Sequence, residues 1–507
     1  MTTTKSGQLA GFLKEQRRDF LAALDGGDAK EWVVVMGNEA GGTHFEFTQS
    51  SPVNLPPMSS EDLDSLASSI AYSSLSSTFN PTQRSLPLLL TPRTYMSLRP
   101  ENILALETSL IPTGPRGTDD HETFLHLEDL PVDSHELARR GVKFALVDHN
   151  TLLPPFRAEG VEDPVVAIID HHADDGSHAH ASPRIIQIPT GSTTSLVTMF
   201  FKDQWRQAIE RDQAHAPAAE LATLLLSGIL IDTGALKAGE GAKTTETDRQ
   251  AAEFLWGIAG KSFEGTSQGM SVDSLRAGKV DPALTSYANT LFSAKNDVTS
   301  LSTHDLLLRD YKEYTMSTRS SAEQLSVGLS TVPLALSTWL SRDNAATGIE
   351  PGWKPFLLAM DAWMAERNLD VAGVLTTFND PLKDDPESDK VKGKHRRELA
   401  FFVRARQPVT PPTIARAKAI ADALTEGINA AGPILDVELW KPSKPYSKSE
   451  TLVQGLEDEL MVPQLAAQNA RFGAVLRQGN ASSTRKQVAP LVKDIIASIP
   501  GSSESGL

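Results

Sequence analysis

Short, almost wholly apolar runs alternate with longer stretches of helical spacing through the first half of the chain. Trp32–Met36, Leu86–Leu90, Phe144–Val147, Val165–Ile169 and Ile185–Ile188 read as strands, each too short to stand as a helix. Phe12–Leu24, Leu63–Leu75, Ser134–Arg140, Thr194–Asp203 and Ala218–Leu226 carry apolar residues at helical intervals. The last of these overlaps the apolar run Leu221–Ile231, which is compatible with helix or strand. Strands alternating with helices predict a mainly parallel sheet covered on both faces. Strands that are apolar along their whole length fit that double burial.

Around Asp297–Thr303 the pattern weakens, and it resumes with different content. Leu334–Leu340, Trp353–Arg367 and Pro412–Ala430 are helical, while Val371–Thr377, Glu398–Arg404 and Ile434–Trp440 read as strands. The charged run Lys383–Arg397 is most simply a solvated loop. The fold class is therefore α/β in two parts: residues 1–297, a linker at 298–303, and a smaller α/β or α+β domain at 304–499. The Ser/Gly-rich tail 500–507 is expected to fray. No internal repeat is visible.

Composition narrows the chemistry. The formal charge of −16 argues against nucleic acid or an anionic membrane as partner, because both need a broad basic surface. Zero cysteines exclude disulfides, zinc ribbons, iron–sulfur clusters and thiol nucleophiles. No apolar stretch reaches the ~18–20 residues of a membrane span, and no signal peptide is seen. These features set the expectation of a soluble, cytoplasmic protein.

Acidic residues and histidines stand where apolar segments end. Asp148-His149-Asn150 follows Phe144–Val147, Asp170-His171-His172 follows Val165–Ile169, and Asp232 follows Leu221–Ile231. Ligands gather at the carboxyl rim of α/β sheets, and carboxylates with imidazole suit Mg²⁺ or Mn²⁺. Asp62-Leu63-Asp64-Ser65 opens a helix, where plain capping would equally account for it.

Taken together, these motifs resemble the DHH phosphoesterase superfamily and, within it, the fungal-type exopolyphosphatases. Asp170-His171-His172 carries the superfamily fingerprint. Gly37-Asn38-Glu39-Ala40 with Asp62–Ser65, Leu146–Asn150, Gly191–Thr194 and Ile229–Thr233 resemble further motifs, and Thr245–Asp248 a Thr-x-x-Asp. Asp310–Tyr314 and Ser483–Gln487 resemble the DHHA2 domain. The resemblance implies a DHH metal-binding domain, a DHHA2 substrate-binding domain, and an active site in the cleft between them. It implies two or more divalent cations held by Asp62, Asp64, Asp148, His171 and Asp232, with Asp148 bridging. Asn38 stands where family II pyrophosphatases have a histidine ligand, and its neutral amide would shift preference from Mn²⁺ toward Mg²⁺. His149 and His172 would face the scissile phosphate, while Lys312, Arg485 and Lys486 would bind it.

The implied activity is release of terminal phosphate from inorganic polyphosphate, by a monomer or weak dimer. A family II-like pyrophosphatase or prune-like phosphodiesterase is the alternative within the chemistry. Asn38, the chain length, and Arg93 and Arg99 in Pro92–Glu101 favour exopolyphosphatase. One departure stands out: Gly41–Glu61 separates Asn38 from Asp62 by far more than the resemblance predicts. Either it loops out and leaves the ligands in register, or it is an artefact of gene prediction such as an unspliced intron; its lack of pattern favours the second. A real insertion there would also permit a catalytically impaired regulator.

Overall fold

The computed structural model describes residues 7–38, 60–113, 122–211, 218–260, 263, 270–320, 323–345, 352–380, 393–454 and 471–501. It divides into two compact units, one holding the described residues through Asp297 and the other those from Val298 onward.

In the first unit the described elements run α1 (Gln8–Gly26), β1 (Trp32–Met36), α2 (Leu63–Phe79), β2 (Arg84–Leu89), α3 (Pro100–Thr108), β3 (Leu125–His126), α4 (Ser134–Arg139), β4 (Lys143–Val147), β5 (Val165–Asp170), β6 (Arg184–Ile186), α5 (Thr193–Glu210), α6 (Ala218–Thr233), α7 (Glu246–Ala259), α8 (Val272–Arg276) and α9 (Pro282–Asn296). The six strands form one wholly parallel sheet, ordered β3-β2-β1-β4-β5-β6. Side chains alternate across it. Val33 and Val35 enter one core with α2, α5, α6 and α7, whereas Trp32, Val34 and Met36 enter the other with α4. Double burial explains why β1 is apolar at every position.

Leu221–Ile231 lies within helix α6, and Leu221, Leu224, Leu225, Ile229 and Leu230 are all fully buried. A helix apolar on every side is a buried helix, which is why its run also read as a strand. Ile185–Ile188 shortens to β6, because Pro189 has no N–H to continue the ladder and Ile188 is exposed.

The second unit contains α10 (Thr303–Arg309), β7 (Tyr311–Ser317), β8 (Gln324–Val332), α11 (Leu336–Ala345), α12 (Lys354–Glu366), β9 (Val371–Thr376), β10 (Phe378–Asp380), β11 (Lys394–Arg404), α13 (Pro411–Ala430), β12 (Val437–Leu439), β13 (Arg471–Gln478) and α14 (Arg485–Ser498). Its sheet runs β12-β13-β11-β9-β8-β7, with β10 beside β11; only β8 and β9 pair in parallel. Helices α13 and α14 pack on one face. The expected strand at Ile434–Trp440 is only three residues long, following a 3₁₀ turn at Gly432–Ile434. The charged run expected to be a loop instead begins β11 at Lys394, where neighbouring strands supply the pairing; residues 381–392 lie outside the described residues.

Candidate metal centre

Parallel strands bring β1, β4 and β5 to one rim, and helices α2 and α5 start beside it. At the end of β4 the chain turns through Asp148, whose φ of 65° lies in the left-handed region that Asp tolerates better than most residues. Asp62 caps α2, its Oδ1 accepting the Ser65 N–H at 3.0 Å. Asp64, one turn in, is 2% exposed and faces the start of α5. Its Oδ1 accepts from the Ser192 hydroxyl at 2.6 Å and the Thr194 N–H at 2.8 Å, and its Oδ2 from the Thr193 N–H at 2.7 Å. The free N–H groups and positive end of α5 thus hold this carboxylate.

Ser65 joins three elements. Its Oγ donates to Asp148 Oδ2 at 2.6 Å and accepts the Asn38 N–H at 3.1 Å. On the other carboxylate oxygen, Asp148 Oδ1 accepts from Thr193 Oγ1 at 3.2 Å and meets His171 Nε2 at 3.3 Å. His171 Nε2 also lies 3.9 Å from Asp64 Oδ2. The other His171 nitrogen, Nδ1, is tied to the Thr190 carbonyl at 3.1 Å. That bond fixes the ring and turns Nε2 toward the carboxylates, as for a metal-ligating imidazole. Ligand atoms of Asp148, His171 and His172 all lie within 4.8 Å of one another.

Asp170 is fully buried and works behind the rim. Its Oδ1 accepts the N–H groups of His171 (2.7 Å) and His172 (3.1 Å) and meets His172 Nδ1 at 2.9 Å, while Oδ2 accepts the Asn150 amide at 2.6 Å. Burial opposes its charge, but the His172 hydrogen bond and its companions outweigh that and hold the carboxyl below its ordinary range. The Asp170 hydrogen bond correspondingly raises His172, whose side chain is 43% exposed. His149 differs. It is buried, its Nδ1 meets the Val147 carbonyl at 3.0 Å, its Nε2 has no partner among the described residues, and burial pushes its imidazole down toward neutrality.

Electrostatics bind the set together. Burial and the charge of Asp64 push Asp148 up to about 6. Burial, Asp64 and Asp62 push Asp232, in the last turn of α6, well above the ordinary range, against relief from Lys295. Burial would lower His171, yet the Asp148 hydrogen bond and the charges of Asp64, Asp148 and Asp232 raise it to about 10. Four carboxylates that repel one another across a buried space need protons or a cation. With an imidazole aimed among them, the donor set fits Mg²⁺ or Mn²⁺.

Sequence reasoning marked Thr245–Asp248 as a motif but gave Asp248 no role among the groups that support the site. This fully buried carboxylate takes the Gly191 N–H at 3.0 Å and both the N–H and hydroxyl of Thr245 at 2.7 Å on Oδ2, and the Ser195 hydroxyl at 2.7 Å on Oδ1. It pins the turn from which Ser192, Thr193 and Thr194 reach Asp64. Only glycine fits at 191, where a Cβ would stand 2.7 Å from Asp248 Oδ2. The Thr-x-x-Asp motif forms a capping box at the start of α7, and its reach to residue 191 is not visible in the sequence.

Asn38 stands next to the start of α2 through its N–H bond to Ser65. Of the anomalous segment, residues 41–59 lie outside the described residues. Its last two residues are knitted into the unit. Glu61 Oε2 accepts the Leu90 N–H at 3.0 Å, and Arg99 Nε donates to Ser60 at 3.0–3.1 Å. Arg93 is buried against Asp129 and Glu128. Both arginines therefore serve internal contacts. In the second unit, Arg485 opens α14 and donates to the side chain and carbonyl of Asp310 at 2.7 and 2.8 Å. Lys312 is half-buried two residues beyond Asp310 on β7, and Lys486 is exposed.

Residues 58–229 match the family described as DHH family, N-terminal domain, and residues 289–495 match the DHHA2 domain. A Schizosaccharomyces pombe protein named "Putative exopolyphosphatase" is 32% identical over 257 residues, covering 50% of this chain and 58% of that protein. Proteins named "Probable manganese-dependent inorganic pyrophosphatase" from Thermotoga maritima and Archaeoglobus fulgidus are 31% and 32% identical, covering 36% and 29% of this chain and 27% and 42% of theirs. The chain thus spans about half or less of the length of these curated relatives. A Methanococcus jannaschii structure named "putative family II inorganic pyrophosphatase" aligns with TM-score 0.42 and 17% identity, over 86% of this chain and 96% of that one.

Proposed function

The chain belongs to the DHH phosphoesterase superfamily, a DHH domain followed by a DHHA2 domain, and from that premise we propose that it hydrolyses phosphoanhydride bonds, releasing orthophosphate from the end of inorganic polyphosphate. The observation that carries this reading is His171, anchored through Nδ1 and turned through Nε2 onto Asp148 and Asp64. Asp62, Asp64, Asp148, His171 and Asp232 would hold two or more divalent cations, Mg²⁺ or Mn²⁺, with Asn38 as an amide ligand. Such ions, when bound, lend positive charge to phosphoryl oxygens and acidify water.

The chain's own groups then have distinct tasks. Asp170, held by Asn150 and two backbone N–H groups, keeps His172 oriented and favours its charged form. His172 Nε2 would give its proton to the departing phosphate oxygen. Lys312, Arg485 and Lys486 would take phosphoryl oxygens, the lysines as point charges and Arg485 by exchanging its Asp310 contacts for them. His149, buried and driven toward neutrality, is given no proton to move.

A pyrophosphatase reading has the names of two relatives behind it. Asn38 in place of histidine, and the name of the S. pombe relative, favour polyphosphate. Orthophosphate release from long polyphosphate, tripolyphosphate and pyrophosphate, each with Mg²⁺ and Mn²⁺, separates them. Preference for the polymers is expected, and strong preference for pyrophosphate overturns the choice. A chain inactive at full length but active without residues 41–59 would identify that segment as the fault, Ser60 and Glu61 being kept for their contacts with Leu90 and Arg99.

A further inference from the structure

At one end of the second unit's sheet, β7, β8, β11 and the residues leading into β9 line a polar cavity of about 470 Å³. It is not the end that carries Lys312 and Arg485. Thr315 and Ser326, which line the cavity, are register partners, whereas Arg485 grips Asp310 beside the opposite end of the same strand pair. Lys312 and Thr315 are three residues apart, roughly 10 Å along a strand.

Two guanidinium groups line the cavity. Arg406 is satisfied by Asp370, its Nε on Oδ1 at 2.5 Å and its Nη2 on Oδ2 at 2.6 Å. Arg404 has no ion-pair or hydrogen-bond partner for its side chain among the described residues. Of the neighbouring carboxylates, Glu323 pairs with Arg416 and Asp361 with Arg471, which faces Arg404 across the ladder, while Glu313 takes the hydroxyls of Ser326 and Tyr311 at 3.3 and 2.8 Å. Among the described residues, the cavity therefore holds one guanidinium with no carboxylate bonded to it, in a chain whose formal charge is −16. Thr315 and Asn368 add hydrogen-bonding side chains, while the Ser326 hydroxyl donates to Glu313 at 3.3 Å. Among the described residues no aromatic ring lines the wall, so none of them would stack on a base.

We propose that this cavity binds a phosphoryl oxyanion, in the form of a short inorganic oligophosphate, through the unpaired Arg404. The size lies within the range of small-molecule sites. An arginine with two free edges suits phosphate better than a solvated lysine would. The proposal does not depend on the catalytic reading, since it uses no residue of the metal centre.

The test is titration of the full chain with tripolyphosphate in EDTA, where no added cation supports turnover, using wild type, Arg404→Gln, Asn368→Asp and Lys486→Gln. Thermal melts check that each variant folds; Asn368 has φ of 51°, which Asp also tolerates. Loss of the charged fork or addition of a carboxylate should weaken binding ~10-fold or more, with Lys486→Gln leaving this site unchanged. Wild-type affinity in both cavity variants, or no saturable binding up to millimolar probe, overturns the proposal. ATP binding far more tightly than tripolyphosphate would show that a base is read, and would also overturn it.

Discussion

Asp248→Ala isolates a group that cannot touch a phosphate yet should govern the metal centre. The side chain accepts four hydrogen bonds. Two donors, the Thr245 and Ser195 hydroxyls, can rotate toward other acceptors; the Gly191 and Thr245 N–H groups cannot. Each buried N–H left without an acceptor costs about 1–3 kcal/mol, so the substitution should lower unfolding free energy by about 2–6 kcal/mol. Urea titration in EDTA measures that. The functional loss is separate. Gly191 would no longer be held, and the turn that presents Ser192, Thr193 and Thr194 to Asp64 would loosen. Displaced outer partners typically weaken a metal site ~10–100-fold, and Mn²⁺ affinity by calorimetry should fall by that factor. Asp248→Asn keeps one carbonyl acceptor for the two N–H groups, and Ser195 can reverse its hydroxyl toward the new amide. It should retain most of both properties. A folded Asp248→Ala protein that binds Mn²⁺ like wild type would refute the reasoning.

Three further outcomes follow from the same geometry. Ser65→Ala strips one hydrogen bond from buried Asp148 Oδ2 and one from the Asn38 N–H, and should cost about 1–3 kcal/mol in urea titration, with weakened Mn²⁺ binding; unchanged stability contradicts it. Because His171 is raised to about 10 without a cation, it carries a proton at pH 7.5 that ligation must expel, so affinity should rise with pH and binding heats should vary with buffer ionisation enthalpy; buffer-independent heats contradict this. His172→Ala should lower the rate of phosphate release by about 10²–10⁴-fold while sparing Mn²⁺ affinity far more, and equal loss of both would make His172 a ligand instead of a proton donor.

The parallel sheet was legible because β1, β4 and β5 are apolar at nearly every position, which only double burial requires. The residues closing those strands, Asp148 and Asp170, were legible because each is the first charge after an apolar run, although both stay buried. Asp232 could be singled out although its element was ambiguous, since α6 is buried all round and shows no polar face to set the period. In contrast, β7 and β8 escaped notice. Their alternation is diluted by charged and small residues such as Lys312, Glu313, Ser326 and Gly328, and pairing in the assembled sheet supplies what the local pattern lacks. Ser65, Thr193 and Asp248 could not be assigned from sequence, because each acts through a bond to a residue 45–83 positions away. A serine or threonine at a helix start looks like capping wherever it occurs.

The most direct test of the account is an anomalous difference map from crystals of the full chain soaked in Mn²⁺. Density among Asp64, Asp148, His171 and Asp232 is predicted, lost in Asp148→Asn. Manganese density confined to surface carboxylates, with these four side chains unliganded, would contradict the metal centre and the hydrolase built on it.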